Sequence, residues 1–259
     1  MSEFIFAADH KTWVAYSAQA DYQEARISDI KPGCERPLTI QADDDLYLAV
    51  GEAGLVDYAR MKFGPLADSS FGLISRLDGA VQSVLPLTTP WRLIMVANRP
   101  GALIENNFLF LNLNEPCAIQ DTSWIKPGKV IREVTLTTDG GKSLVDFCVK
   151  HGMQYVHFDA GWYGHEYDDA SDATTVTVDP KRSKGPLALH EVIGYAKERG
   201  IGVILYVNRR ALEQQLDEIL PLYKSWGIAG VKYGFVNVGT QRWTRWLHGA
   251  IRKAADHQL

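Results

Sequence analysis

The sequence predicts two parts in series, an antiparallel β-sandwich and then a parallel sheet built from alternating strands and helices. Residues 1 to about 115 form short segments of alternating polarity between turn residues, a pattern typical of antiparallel strands at short spacing. After about residue 128, some segments place their apolar residues at the spacing of a helix. These segments alternate with continuous apolar runs. Regular alternation with short connections indicates a β/α repeat.

The first part is predicted to span residues 1–121. Its strand-like segments are FIFAADHKTWVAYSA, the stretch after Pro37, WRLIMVAN after Pro90 and NNFLFLNLN around Phe108. A DDD turn separates the two runs that follow Pro37. The polar segment TSWIKPGK carries Pro and Gly and is interpreted as an ordered connector.

The second part is predicted to span residues 122–259 and to contain three β/α units. Apolar runs ending near Asp159, Asn208 and Gly234 are the predicted strands. Helical periodicity marks residues 140–152, 185–200, 209–227 and 240–258. Gly152 is a predicted helix stop, and Pro221 is expected to kink or break its helix.

Composition excludes several function classes. The 259 residues carry a net charge of −4, which gives no footprint for nucleic acid or an anionic membrane. No apolar run approaches the roughly 20 residues of a membrane helix, so no membrane insertion is expected. The three cysteines are widely separated and fit neither a disulfide framework nor a zinc site.

The stretch VHFDAGWYG suggests a binding site. Asp159 ends a predicted strand, and the carboxyl ends of parallel strands build the active sites of β/α proteins. A carboxylate accepts hydrogen bonds from hydroxyls, and the rings of Trp162 and Tyr163 could stack on a sugar. The alternative is that Asp159 caps a turn and Trp162 packs in the core.

Other residues are candidates for the same site. Lys232 lies on a predicted buried strand and needs a partner there, which could be a sugar hydroxyl or a carboxylate. Asn208 could bond a hydroxyl or hold a turn, and Trp124 could close one wall of the site. The acidic loop at residues 165–185 matches no calcium-binding spacing and is interpreted as solvated.

Four segments in this order resemble glycoside hydrolase family 97: PWR (90–92), SWIKPGK (123–129), YVHFDAGWYG (155–164) and GVKYGFVNVGTQRWTRWLH (230–248). The resemblance implies an α-glucosidase or α-galactosidase with an N-terminal β-sandwich and a (β/α)8 TIM barrel. Its substrate would be an oligosaccharide or other α-glycoside. The chain leaves the compartment unknown, although the resemblance implies a periplasmic or secreted protein.

The resemblance also implies a calcium ion, with Glu52 in YLAVGEAGLVDY as the matching ligand. Retaining members carry a nucleophilic Asp where this sequence has Gly234, so an inverting mechanism is expected. The catalytic acids of inverting members lie on later segments, expected beyond Leu259. We therefore expect an internal fragment that is inactive alone.

Two alternatives stay open at this point. The chain could be a non-catalytic carbohydrate-binding or structural remnant. It could also be an unrelated β/α enzyme such as an aldolase, with Lys232 as a Schiff-base amine in a desolvated pocket.

Overall fold

The alternating segments of the N-terminal part form two antiparallel sheets. The computed structural model describes residues 1–17 and 19–259. The strands of this part are β1 (Glu3–Ile5), β2 (Lys11–Val14), β3 (Gln23–Arg26), β4 (Leu38–Asp43), β5 (Leu46–Ala53), β6 (Met61–Pro65), β7 (Gly72–Leu77) and β8 (Trp91–Ala97). One sheet has the order β3-β2-β4-β5-β8 and the other the order β1-β7-β6.

Both sheets contribute to one core. Leu38 and Ile40 of β4 and Met61 and Phe63 of β6 are completely buried, and they alternate with more exposed neighbours. The four side chains belong to the same cluster of packed apolar residues. Period-two alternation points every second side chain inward, so the predicted antiparallel N-terminal domain is confirmed.

The segment around Phe108 is helical, although an additional strand was predicted there. Two short helices, α1 (Pro100–Glu105) and α2 (Phe108–Asn112), follow β8. The side-chain amides of Asn106 and Asn114 donate to the carbonyls of Ala102 and Phe110. The Ala102 carbonyl also accepts from the Asn106 backbone amide, so the side-chain amides reinforce the helix ends. A run as apolar as FLFL does not distinguish helix from strand.

The C-terminal part contains a parallel sheet of four strands, β9 (Val130–Glu133), β10 (Tyr155–Phe158), β11 (Gly202–Asn208) and β12 (Gly230–Gly234), in the order β12-β11-β10-β9. Its helices are α3 (Thr138–His151), α4 (Leu189–Glu198), α5 (Arg209–Trp226) and α6 (Gln241–Asp256). The parallel β/α pattern agrees with the sequence. The prediction of three strands was wrong because β9 is a short edge strand with mostly exposed side chains.

Local signals fix the helix ends. The Thr137 hydroxyl accepts from the Gly140 amide at the start of α3, and Gly152 ends that helix at a φ of 63°, a left-handed conformation that suits glycine. Pro221 lies inside a continuous α5, so the predicted break was wrong. Ile219 and Tyr223, two residues before and after it, are buried, and burial of this part of the helix compensates for the one missing backbone N–H.

The register of the parallel sheet separates its two faces. Phe158 pairs with Leu205 on an apolar face. Tyr206 pairs with Lys232, and Asn208 pairs with Gly234, on the opposite face. We call this opposite side the polar face.

The chain divides into two compact units, one of Met1–Ala118 with Val238–His248 and the other of Ile119–Asn237 with Gly249–Leu259. None of the helices within the described residues combines the length and apolar character needed to cross a bilayer.

Candidate functional site

Two predicted site residues meet on the polar face of the parallel sheet. Asp159 follows β10, and its Oδ1 lies 3.7 Å from the Nζ of Lys232 on β12. The Nη1 of Arg132, on β9, donates to Asp159 Oδ2 at 3.1 Å. The sequence separates these residues widely, and the parallel register brings them to one edge of the sheet.

Asp159 is ionised at neutral pH. Burial alone would raise the pKa of its carboxyl. The Ala160 amide, 2.9 Å from Oδ1, and the charges of Lys232 and Arg132 outweigh burial, so this pKa lies below its ordinary value. Asp159 is therefore a hydrogen-bond acceptor across the neutral range.

His157 lies on the same strand, two residues before Asp159, and is 6% exposed. Burial, together with the charges of Lys232 and Arg132, lowers the pKa of its imidazole against the opposing effect of Asp159. Its buried Nε2 has no hydrogen-bond partner within the part of the chain that the structure describes.

A second buried carboxylate, Glu166, lies beside this pair and was not identified from the sequence. The Tyr206 hydroxyl donates to Glu166 Oε2, Asn208 Nδ2 donates to the same oxygen at 3.2 Å, and Arg182 donates to Oε1 at 3.1 Å. Glu166 is 9% exposed. We call Asp159, Lys232, Tyr206, Glu166 and Asn208 the carboxyl-edge cluster.

Asn208 has a structural role at the start of α5, and the predicted bond to a sugar hydroxyl stays a prediction. Its Oδ1 accepts from the Arg210 amide at 3.1 Å and caps α5. Its Nδ2 bonds Glu166 and the Tyr206 hydroxyl, each at 3.2 Å. The side chain is therefore already bonded on both sides, and its position in the cluster is fixed.

The acidic loop is only partly solvated, contrary to prediction. Asp179 is 3% exposed and accepts from the Lys181 amide. Asp172 accepts from the amide and hydroxyl of Thr174 and from Gln215. These carboxylates therefore hold turns of the loop.

Trp162 and Tyr163 are core residues, and their predicted role as sugar-stacking rings was wrong. They are 0% and 1% exposed. The Trp162 indole N–H donates to the Tyr206 carbonyl at 2.7 Å, and the Tyr163 hydroxyl accepts from the Asn208 amide at 2.9 Å. Both side chains bond the backbone at the end of β11. Because the rings are buried, a sugar cannot stack on them.

Trp124 lies in a turn of the connector and is half-buried. Lys126, two residues further on, accepts through its carbonyl from the hydroxyl of Tyr155, the first residue of β10. The connector therefore contacts the amino end of the sheet, and the cluster lies at the carboxyl end. This contact does not involve the Trp124 side chain, and the role of Trp124 as a wall of the site stays a prediction.

Lys232 was predicted to be buried, and its side chain is 48% exposed. Its partner is a carboxylate, one of the alternatives that the sequence offered. A half-exposed ammonium beside Asp159 is the opposite of the desolvated amine that a Schiff-base enzyme requires. The aldolase hypothesis is therefore not supported.

Gly234 has a packing explanation. A Cβ built at this position would overlap the ring and hydroxyl of Tyr206. Glycine is therefore present because the Tyr206 side chain fills the adjacent space. The sequence alone does not show that these two residues are neighbours.

Replacing Gly234 with alanine is expected to destabilise the protein by about 1–3 kcal/mol, the range for overpacking a filled site. Gly194→Ala is the matched control, because nothing lies within 4 Å of a Cβ built there, inside α4. Chemical denaturation of the two variants would measure the difference. Equal stabilities would show that Tyr206 moves aside without cost.

Glu52 lies in β5, and its side chain is 3% exposed. Arg36 Nε donates to its Oε1 at 2.7 Å, and Arg92 Nη1 donates to its Oε2 at 2.9 Å. The Met61 amide also donates to the carboxylate. Cationic donors thus occupy both oxygens.

The charges of Arg36 and Arg92 oppose a calcium ion at the same carboxylate. No group of three or more His, Cys, Asp or Glu side chains among the described residues is arranged to hold a metal ion. Calcium therefore remains a prediction from the family resemblance alone.

Comparison with protein families matches both parts of the chain. The family described as Glycosyl-hydrolase 97 N-terminal matches residues 1–116, and the family described as Glycoside hydrolase 97 matches residues 123–259.

Two curated relatives share part of the sequence. A protein from Streptomyces bingchenggensis named "Probable retaining alpha-galactosidase" is 31% identical over 192 residues, 70% of this chain and 29% of the relative. A "Retaining alpha-galactosidase" from Bacteroides thetaiotaomicron is 27% identical over 187 residues, 67% of this chain and 27% of the relative. The chain thus spans less than a third of the length of either relative.

Solved structures share the fold. A glycoside hydrolase family 97 enzyme from Pseudoalteromonas sp. strain K8, in complex with acarbose, superposes with a TM-score of 0.86 at 22% identity. The match covers 99% of this chain and 46% of that enzyme. A β-arabinopyranosidase superposes with a TM-score of 0.78 at 17% identity, covering 100% of this chain and 45% of that protein.

The expected inverting mechanism was wrong, because both curated relatives are named retaining enzymes. The expectation rested on Gly234 alone, and the bulk of Tyr206 accounts for a glycine there. A glycine that is explained by packing does not show whether hydrolysis retains or inverts the anomeric configuration. Family models matching both of its parts show that the chain belongs to glycoside hydrolase family 97.

Proposed function

We propose that the protein acts in α-glycoside hydrolysis, with α-galactosides as the preferred substrates and with retention of configuration. The pairing of Asp159 with Lys232 at the carboxyl edge of the sheet carries this proposal. The names of the curated relatives supply the substrate class and the stereochemistry. The oligosaccharide complex of a related structure supports a sugar as the ligand.

Asp159 and Lys232 suit adjacent hydroxyl groups of a sugar. An ionised carboxylate only accepts hydrogen bonds, and an ammonium only donates them. A hydroxyl does both, so a pair of hydroxyls can bond the two side chains in complementary senses. The depressed pKa of Asp159 keeps this acceptor charged at neutral pH and argues against a proton-donating role.

The parallel sheet suits the opening part of a (β/α)8 barrel. Its register is parallel throughout and helices connect its strands. We assign residues 122–259 to this catalytic domain and residues 1–121 to a partial β-sandwich. Sites at the carboxyl ends of barrel strands are the rule in this architecture, which supports the position of the cluster.

The proposed reaction can be tested with 4-nitrophenyl and methyl α-galactosides. We expect no hydrolysis by residues 1–259 alone. In a protein that also carries the part of the relatives that this chain does not cover, we expect hydrolysis in which proton NMR detects the α-anomer of galactose first. Release of the β-anomer first would contradict retention. Binding without hydrolysis would favour the non-catalytic carbohydrate-binding alternative, and absence of both would overturn the proposal.

Asp159→Asn is expected to weaken the binding of methyl α-galactoside by about 1.5–3 kcal/mol, roughly ten- to a hundredfold, because a charged acceptor becomes neutral. Asp217→Asn is the control, since that carboxylate is 76% exposed and pairs with Lys253 on the surface. Isothermal titration calorimetry would compare the affinities. Equal affinity for both variants would remove Asp159 from the site.

A further inference from the structure

Tyr206 joins the two halves of the carboxyl-edge cluster. Its ring centroid lies 5.3 Å from the Lys232 Nζ. Its hydroxyl donates to Glu166 and accepts from Asn208. Tyr206 is 3% exposed, so the ring beside the half-exposed lysine is itself buried.

Lys232 needs such a neighbour to hold its position. Its side chain is half exposed, and its Nζ lies 3.7 Å from the nearest Asp159 oxygen. That distance is longer than the 2.7–2.9 Å of a charge-assisted hydrogen bond. A lysine side chain loses considerable rotamer entropy when it is fixed, and an ammonium over an aromatic face gains electrostatic attraction that offsets part of this loss.

Tyr206 is fixed from several directions. Arg182 and Asn208 hold the Glu166 carboxylate, and Asn208 is tied to the start of α5. The indole of Trp162 bonds the Tyr206 carbonyl. Burial, and then the hydrogen bond to Glu166, raise the pKa of the Tyr206 hydroxyl, which keeps it protonated as the donor.

Gly234 completes the arrangement. The Tyr206 ring occupies the space that a side chain at position 234 would need. With glycine there, the ring can lie flat along the polar face beneath the ammonium. The Tyr206 ring can therefore take this position only because residue 234 has no side chain.

We propose that Tyr206 is a positioning residue that holds the Lys232 ammonium beside Asp159, with Glu166 as its anchor. This inference rests on the proposed function in that Lys232 contacts the sugar. Tyr206 acts through Lys232 and does not touch the substrate. The same lysine would otherwise sample rotamers directed into solvent.

The test is a spectroscopic signature of Lys232 in the protein without sugar. Lysine labelled with ¹³C at Cε is incorporated, and the Lys232 resonance is identified by its loss in Lys232→Arg. We expect an upfield ring-current shift of the attached protons, reduced in Tyr206→Phe, which keeps the ring but loses its anchoring hydroxyl, and lost in Tyr206→Leu. Tyr195→Leu is the matched control, because that ring lies 5.4 Å from the Nζ of Lys142 and its removal should leave Lys232 unchanged.

The anchor is tested in the same way. Glu166→Gln removes the charged acceptor of the Tyr206 hydroxyl but keeps the ring, and we expect a smaller shift with broadening. An unshifted Lys232 resonance in the wild-type protein overturns the proposal even if Tyr206→Leu fails to fold. A shift that persists in a folded Tyr206→Leu also overturns it.

Sugar binding separates this inference from the proposed function. Tyr206→Leu should weaken the binding of methyl α-galactoside roughly two- to fivefold, the equivalent of one exposed cation–π contact. Tyr206→Phe, which keeps the ring but not the anchoring hydroxyl, should weaken it less. A Tyr206-dependent shift without any sugar binding leaves the positioning role intact and overturns the proposed function. Sugar binding that is insensitive to Tyr206→Leu contradicts the positioning role.

Discussion

Replacement of Trp162 with alanine is expected to lower the free energy of unfolding by about 3–5 kcal/mol, the range for removing a large aromatic side chain from a core. The indole is completely buried. Its ring makes edge contacts with Tyr163, Tyr223 and Trp226 at centroid distances of 5.1, 5.9 and 6.4 Å. The variant would also leave the Tyr206 carbonyl without its donor.

Two controls separate packing from sugar contact. Trp124→Ala removes the same side chain from a half-buried turn and should cost less than about 1 kcal/mol, as most changes away from the core do. Trp162→Phe keeps an aromatic ring but removes the N–H, and should cost about 1–3 kcal/mol for the unpaired carbonyl. Urea denaturation would give the three values. A stable Trp162→Ala protein that has lost sugar affinity would restore the stacking role that the sequence suggested.

Trp162 shows why strand-end aromatics are ambiguous in a sequence. The pattern D-A-G-W-Y after an apolar strand is compatible with a sugar platform or with a core contact. The outcome depends on α5, whose Tyr223 and Trp226 cover the indole from more than sixty residues further along the chain. Periodicity identifies α5 as a helix but does not state which rings it will meet.

Asp159 could be predicted because its position depends on local order. An apolar strand followed by an acid, in a β/α repeat, places the acid at the carboxyl edge whatever the tertiary details. Glu166 could not be predicted in this way. The burial of Glu166 depends on Tyr206 and Asn208, on a strand forty residues further along the chain. The composition of the acidic loop, by contrast, favours exposure of its side chains to solvent. The local sequence offered one signal: Glu166 lies two residues after Gly164, close to the end of a strand.

Glu52→Gln is expected to destabilise the protein by roughly 3 kcal/mol, the low end of the cost of breaking a buried ion pair. Arg36 and Arg92 are 20% and 18% exposed in their side chains. Arg92 would keep a largely buried charge without the Glu52 carboxylate, and Arg36 would retain only its longer contact with Glu35, at 3.3 Å. Glu105→Gln is the matched control. Its partner is Arg99, and the two side chains are 59% and 57% exposed, so the change should cost at most about 1 kcal/mol.

Thermal unfolding with calcium or with a chelator distinguishes this ion-pair role from the metal ligand that the family resemblance implies. A ligand that binds only the folded state raises the melting temperature, and an ion-pair residue has its effect whether or not metal is present. We expect Glu52→Gln to melt lower than the wild type by the same amount in both conditions. A variant that matches the wild type in chelator but no longer responds to calcium would make Glu52 a metal ligand, and its pairing with Arg36 and Arg92 would then have to open to admit the ion.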